Sequence, residues 1–267
     1  MHIAVTADIH LGITSEKTVR SLLKRIIREK PDLLAIAGDI GEPLEHFDQV
    51  LRIFEGLGIK TVVVAGNHDL WHRSGGQSSM ELWEKEVPAA VRKHGMVWLE
   101  DESLIVGSKA IVGTIGWYDY SARPRELAAK SDQAFFDTKG VFNNDARYLD
   151  WAYTDIEFSR IVGERFHARL QAAEEDPRVE SIFVVTHVPI FSAQRITLPH
   201  WDPQSEAYFG NWTLGRIVES FSKVKRVASG HTHLGVHGLH LCPDGRKIPA
   251  SVVNSDYERP GYFMVEL

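Results

Sequence analysis

The chain has 267 residues, 43% of them apolar, enough to bury a full core as a single domain over residues 1–267. Its 30 basic and 36 acidic residues leave a net charge of −6 with no long basic run, which argues against a broad nucleic-acid surface but does not exclude a small nucleotide. One cysteine, Cys242, excludes an internal disulfide; the strand-like run starting at Ile3 leaves no room for a signal peptide, and no stretch approaches the roughly 20 apolar residues of a membrane helix, so a cytoplasmic setting is expected.

The first apolar strand-like run, residues 3–8, ends at Asp8-Ile9-His10. Ser15 is placed to cap a helix in which Val19, Leu22, Leu23, Ile26 and Ile27 fall at helical spacing, before Pro31. Residues 33–39 predict a second strand-like run, ending in Gly38-Asp39. Pro43 opens a second helix with Leu44, Phe47, Leu51 and Phe54 on one face, and Gly56 and Gly58 near its end. Residues 61–65 predict a third strand running into Gly66-Asn67-His68-Asp69. This βα alternation predicts a largely parallel sheet.

The pattern then changes. Residues 96–99, 103–106 and 109–117 read as short strands. Residues 118–180 read as an elaboration carrying Tyr118, Tyr120, Phe135, Phe136, Phe142, Tyr148, Trp151 and Tyr153. A long polar helix follows, with Phe158, Ile161, Val162, Phe166 and Leu170 on one side. Residues 182–186 form a strand ending at His187, and 227–230 lead into His231-Thr232-His233. Strands at 224–229, 236–241, 247–254 and 262–267 complete the chain, with Asp244-Gly245 as a hairpin turn. Two sheets, one richer in antiparallel pairs, fit this better than a single open sheet.

Five strand-like runs thus end in nitrogen or oxygen ligands, and strand carboxyl ends meet at one edge of an open α/β sheet. The set Asp8, His10, Asp39, Asn67, His187, His231 and His233 suits Mn, Fe, Zn or Co and disfavours copper(I) or iron–sulfur chemistry. Seven ligands exceed one tetrahedral zinc but suit two ions sharing a bridge, which an Asp39 carboxylate would span at roughly 3.5–4 Å. Two divalent ions, two aspartates and a bridging hydroxide leave about one positive charge, which attracts a phosphate ester and stabilises its transition state. That hydroxide would be the nucleophile; no Gly-x-Ser-x-Gly elbow is present.

His68, next to a ligand, falls on the other side of the chain if the segment is extended, where it would orient substrate or protonate the leaving oxygen. Glu42 is the candidate to set its tautomer. Arg73, with Trp71 and His72, and Tyr118 are candidate substrate contacts, against which a packed loop or core role weighs more heavily. Asn143, Asn144, Asp145 and Arg147 read equally as a recognition loop or a helix cap. Residues 199–203 read as a pocket wall or a rigid turn.

With D-x-H, G-D, G-N-H-D, a lone His and G-H-x-H in this order over residues 8–233, the chain resembles the calcineurin-like metallophosphoesterase superfamily. The resemblance implies an α/β fold, a four-layer α/β/β/α sandwich of two mixed β-sheets flanked by helices, with metals at the strand ends. It implies that Asp8, His10 and His233 bind one divalent metal ion, that Asn67, His187 and His231 bind the other, and that Asp39 bridges them. Manganese, or iron with zinc, is the metal expected. His68 matches the family's catalytic histidine.

Protein serine/threonine phosphatases of the superfamily carry G-D-x-x-D-R-G. Here the segment is Gly38-Asp39-Ile40-Gly41-Glu42-Pro43, with Glu42 in place of the second Asp and no Arg, which counts against a phosphoprotein substrate. The expected function is a dinuclear metal-dependent phosphoesterase acting on a small phosphomonoester or phosphodiester, with nucleotide-like and other diesters favoured and no membrane partner. The alternatives are a protein phosphatase, a nuclease, which should show a basic groove, and an inactive scaffold, which would typically have lost His68 or several ligands.

Overall fold

The computed structural model describes residues 1–74 and 76–267. In chain order the strands are β1 (His2–Thr6), β2 (Leu33–Ala37), β3 (Lys60–Val64), β4 (Val97–Trp98), β5 (Leu104–Val106), β6 (Lys109–Thr114), β7 (Ser181–Thr186), β8 (Val224–Ser229), β9 (Val236–Leu241), β10 (Lys247–Val252) and β11 (Tyr262–Glu266). The α-helices are α1 (Glu16–Arg28), α2 (Leu44–Glu55), α3 (Ser79–Glu81), α4 (Val87–Lys93), α5 (Asp132–Phe142), α6 (Asp145–Tyr148), α7 (Asp155–Glu175) and α8 (Trp212–Glu219).

The strands form a five-stranded sheet, β11-β1-β2-β3-β4, and a six-stranded sheet, β5-β6-β7-β8-β10-β9. In the first, β1 to β4 are parallel and only β11 runs antiparallel. In the second, β6, β7, β8 and β10 are parallel while both edge strands are antiparallel. The extra antiparallel pairing therefore sits at the edges. The predicted strand at 109–117 stops at Thr114, because Gly116 turns the chain at φ +63°.

Alternation along each strand builds the layers. Ile3, Val5, Leu33, Ala35, Val62 and Val64 pack inward against Ile111, Phe183, Val185 and Ala228 of the other sheet. Their neighbours Ala4, Leu34, Ile36 and Val63 face outward onto Val19, Leu22 and Ile26 of α1 and Phe47, Val50 and Leu51 of α2. On the far side, Ala110, Val112, Ile182 and Val184 meet Phe166 and Leu170 of α7 and Leu214 and Val218 of α8. The result is the α/β/β/α sandwich. Central strands buried on both faces explain the unbroken apolar runs of the sequence.

Helix α1 starts where Ser15 Oγ accepts from the Thr18 N–H. Its buried face is narrower than the periodicity suggested: Val19, Leu22 and Ile26 are covered, Leu23 is half-buried and Ile27 is exposed. The sequence reading assigned nothing to residues 79–93, yet α3 and α4 are joined there by a π-helical turn, Leu82–Glu86, and Trp83, Val87 and Val91 are buried. Pro88 looks like a breaker in sequence. It falls at the joint between π and α turns, where a missing N–H disturbs the hydrogen-bond ladder least.

The elaboration ends in α7, opened by a reciprocal cap between Thr154 and Glu157. Phe158 and Val162 of this helix join the cluster under α1 and α2, whereas Phe166 and Leu170 join the one on the second sheet. Among the described residues, no helix is long and apolar enough to cross a membrane.

Glu100 is a buried acid between β4 and β5, with Arg169 of α7 donating to its backbone oxygen. Burial pushes its carboxyl up from 4.5 to about 7, against the pull of Arg169 and the Ile115 N–H. Between those values the folded chain keeps a proton that the unfolded chain has lost. Stability therefore falls as pH rises through this window, by about 3 kcal/mol once Glu100 is ionised. Glu100→Gln should consequently gain melting temperature relative to wild type between pH 5 and pH 8, by several degrees. A difference in melting temperature between variant and wild type that is the same at both pH values would show this to be wrong.

Candidate metal centre

The site stands on backbone that side-chain-bearing residues rarely adopt. Asp8, His10, Asp39, His231 and His233 have φ of 54°, 48°, 52°, 74° and 61°; among the described residues only Lys30 and Tyr120 share this left-handed region without being glycine. Each such residue costs of order 1 kcal/mol and persists only where its surroundings over-determine it. Here they do. The N–H of Asp8 donates to Gly38 O, that of His10 to Asp39 O, and that of His231 to Asp8 Oδ1, at 3.0, 3.0 and 2.9 Å. Gly38 completes the turn at φ +87°, where a Cβ would lie 2.5 Å from His187 Nδ1. A Cβ on Gly66 would overlap the Asp39 carboxylate. Two motif glycines are thus there for close approach.

Turns at the ends of β1, β2 and β3 in one sheet, and of β7 and β8 in the other, bring the seven side chains into two adjoining groups. In the first, Asp8, His10, Asp39 and His233 each offer a ligand atom within 4.8 Å of the others. His10 Nε2 lies 3.2 Å from His233 Nε2, and the buried Asp8 Oδ2 has no hydrogen-bond partner. In the second, Asn67 Oδ1 is 3.0 Å from His187 Nε2 and 3.1 Å from His231 Nδ1, and these two nitrogens are 3.2 Å apart. Asp39 Oδ2 is 3.5 Å from both His10 Nε2 and His187 Nε2, between the groups.

The tautomers follow from the outer ring atoms. His187 Nδ1 donates to Ala37 O at 2.8 Å and His231 Nε2 to Tyr208 O at 2.9 Å. With both imidazoles neutral, their inner nitrogens and Asn67 Oδ1 point three lone pairs at one another. Such an arrangement repels itself unless a cation lies among them. An unpartnered carboxylate oxygen in one group and converging acceptors in the other both fit divalent metal ions.

The protein's own charges tell the same story. Burial pushes the Asp8 carboxyl up, opposed by His233 and His187. Burial acts the same way on Asp39, yet His187, His68 and His10 together hold it well below the usual carboxylate range. Burial drives His10 down to about 3, and burial together with His187 drives His231 down to about 4. Burial pushes His187 down, yet Asp39, Asp8 and the Ala37 carbonyl together move it up to about 9. Without metal, a proton on His187 is the cation that the cluster retains.

His68 corrects the extended-chain expectation. Asn67 is αR (φ −65°, ψ −36°) and His68–Leu70 is one 3₁₀ turn, so His68 turns back over the centre, its ring 4.6 Å from that of His10. Its backbone N–H donates to Asp39 Oδ1 at 2.9 Å. Its ring stacks on Trp71 at 3.6 Å, and Trp71 stacks on Tyr148 at 4.4 Å. Burial alone would lower the His68 pKa, but Asp39, Glu42 and Asp145 raise it. Glu42 Oε1 is 3.7 Å from His68 Nδ1, beyond hydrogen-bond length, and pairs instead with Arg73 at 3.0 Å. The fourth motif residue, Asp69, is a strap: its carboxylate accepts from the N–H groups of Ile40, Gly41 and Gly66, tying the β2 and β3 turns together.

Other candidates divide. Arg73 is half-exposed, 4.9 Å over the Tyr148 ring, beside a groove of about 250 Å³ lined by Pro43, Glu45, Trp71 and Gln77. His72 is spent on the loop, its Nδ1 3.1 Å from Gln77 O. Tyr118 must be corrected: it is fully buried, with its hydroxyl bonded to Asp145 and its ring against Trp117 and Tyr208, and cannot touch substrate. The 199–203 loop reaches the centre only indirectly, through Trp201 on Phe209, whose ring is 6.2 Å from His231. Of Asn143, Asn144, Asp145 and Arg147, Asp145 is wholly buried and opens α6.

The sequence reading missed Tyr257. Its ring lies 5.1 Å from those of both His10 and His233, and it is 43% exposed, so it borders the open side of the centre. It lies in the loop between β10 and β11, past the strand end and outside every motif.

Comparisons with known proteins agree with the fold and the family resemblance. A family model described as calcineurin-like phosphoesterase matches residues 1–235. No curated protein matches the chain. Among solved structures, the phosphopantetheinyl hydrolase of Mycobacterium tuberculosis superposes with a TM-score of 0.71 at 19% identity, covering 93% of this chain and 87% of that one. A dimetal phosphatase of Danio rerio gives a TM-score of 0.59 at 14% identity, covering 100% and 92%. A Thermus thermophilus protein gives 0.55 at 11% identity, covering 93% and 88%. At these identities the likeness is one of fold.

Proposed function

The chain belongs to the calcineurin-like phosphoesterase family, and from that premise we propose that it hydrolyses a small phosphoester at two divalent metal ions, manganese or an iron–zinc pair, in a single catalytic domain. The carrying observation is the position of Asp39 Oδ2, 3.5 Å from a histidine nitrogen of each group, where one carboxylate would serve both. Asp8, His10 and His233 complete one site; Asn67, His187 and His231 complete the other. Bound there, the ions would supply positive charge for the phosphoryl oxygens and acidify a water for attack.

The chain's own residues do the rest. Asp39 Oδ1 holds the His68 backbone while Trp71 holds the ring, so the imidazole is aimed before substrate arrives. Against its burial, Asp39, Glu42 and Asp145 raise the His68 pKa in the metal-free chain, the direction that suits a donor to the leaving oxygen. Tyr257 and Arg73 border the accessible side and would contact the substrate beyond its phosphate. The Glu42–Arg73 pair leaves Arg73 partly neutralised, which suits a small ester better than a polyanion.

The test is turnover by Mn²⁺-loaded protein of matched aryl mono- and diesters, a phosphoserine peptide and, because one structural neighbour bears that name, a phosphopantetheinyl ester. Metal-dependent turnover of the small esters, with the diester ahead and the phosphopeptide at least about tenfold behind, is expected. Metal-loaded protein that cleaves none of the small esters would sink the proposal.

A further inference from the structure

Asn67 can serve a cation only through its amide oxygen, and an amide can equally present its NH₂. The decision lies with a residue from the elaboration. Asp145 Oδ1 accepts from Asn67 Nδ2 at 2.9 Å and from Trp71 Nε1 at 2.7 Å, and its Oδ2 accepts from the Tyr118 hydroxyl at 2.7 Å. All four side chains are buried. An ionised carboxylate has nothing to donate, so it admits only the amide NH₂. Asn67 Oδ1 is thereby turned toward His187 Nε2 and His231 Nδ1.

The carboxylate is itself held firmly. Its backbone N–H donates to Asn143 Oδ1 at 2.8 Å. The buried ammonium of Lys139, bonded to Asp155 Oδ1 at 2.6 Å, lies 4.9 Å above the Tyr118 ring. Trp71, fixed by the same Asp145 oxygen, carries His68 on its face. Tyr148, three residues on, covers the other face of Trp71 and accepts from the His72 N–H at 2.7 Å.

We propose that Asp145 is a positioning residue that sets the amide of Asn67 for metal and, through Trp71, the ring of His68, and that supplying it is a task of the elaboration at 118–180. The proposal rests on the metal-centre reading above. It makes Tyr118 a support for Asp145 and gives Trp71 two duties, one toward each group of the site. Outer partners that orient a ligand commonly govern metal affinity by 10- to 100-fold.

The experiment is calorimetric titration of metal-stripped full-length protein with Mn²⁺, together with melting curves, for wild type, Asp145→Leu, Asp145→Asn and Tyr118→Phe. Wild type should take up two equivalents. Asp145→Leu should weaken one of the two roughly 10- to 100-fold. Asp145→Asn keeps an oxygen for Asn67 and Trp71 and can donate to Tyr118, so it should restore that step to within about threefold of wild type. Tyr118→Phe removes a donor to Asp145 Oδ2 but leaves Oδ1 for Asn67 and Trp71, so it should weaken the same step by less than Asp145→Leu does, whereas a mere loss of stability would lower the melting temperature and leave the isotherm unchanged. If Asp145→Leu does not fold, Asp145→Ala removes the acceptor without adding apolar bulk beside Lys139, and the same weakening is expected. Two equivalents at wild-type affinity in either acceptor-free variant overturn the inference alone. Wild type that takes up no Mn²⁺ overturns the metal-centre reading and the inference with it.

Discussion

Asp39→Asn should bind at most one equivalent of metal tightly and lose turnover by at least about 10³-fold while remaining folded. The substitution keeps shape and volume in a side chain that is almost wholly buried. What it removes is the negative charge between His10 and His187, carried by an oxygen 3.5 Å from both. An amide there must either present NH₂ to the two groups or turn it toward the His68 N–H, which now donates to Oδ1. Each choice breaks one function. The amide fills the same space, so circular dichroism should stay native. Metal analysis after gel filtration and kcat/KM on an aryl ester decide the matter; two equivalents and undiminished turnover would show that Asp39 bridges nothing.

His68→Ala should do the reverse, leaving metal uptake intact while kcat falls by about 10²- to 10⁴-fold. No ligand is deleted, but the ring that sits 4.6 Å from His10 on its Trp71 platform is. Two readouts distinguish proton donation from a general disturbance. The loss should shrink for esters with acidic leaving groups, which depart without a proton. Wild-type activity should also decline as pH rises through the His68 pKa, and the variant should lack that alkaline limb. A uniform loss across leaving groups, with the limb retained, would move the proton donor elsewhere.

The strand ends were legible because a strand buried on both faces leaves its polar residues only at its termini, so Asp8, Asp39, Asn67, His187 and His231 stood out against apolar runs. The layered fold followed from the same contrast. Pattern failed where local geometry overrode it. The 3₁₀ turn after Asn67 places His68 by one hydrogen-bonded loop, Trp71 N to His68 O, that no periodicity encodes. Tyr118 sits at the end of an apolar run, as the ligands do, but its hydroxyl finds a buried acid instead of solvent. Asp145 lies in a stretch of Asn and Asp that reads as a surface cap. Its role depends on Asn67, 78 residues away, and a pairing at that distance leaves no trace in a single sequence.

The left-handed turns at the metal centre bear on how this protein can be altered. Placing glycine where φ is positive is a common way to stabilise a domain, worth up to about 1 kcal/mol a site. Of the seven non-glycine residues in that region among those described, five are proposed ligands and Tyr120 is tied to Asp155, leaving the exposed Lys30 alone. A stabilisation campaign guided by backbone angles would therefore dismantle the catalyst first, and the most thermostable variants it returned would be the least able to hold metal.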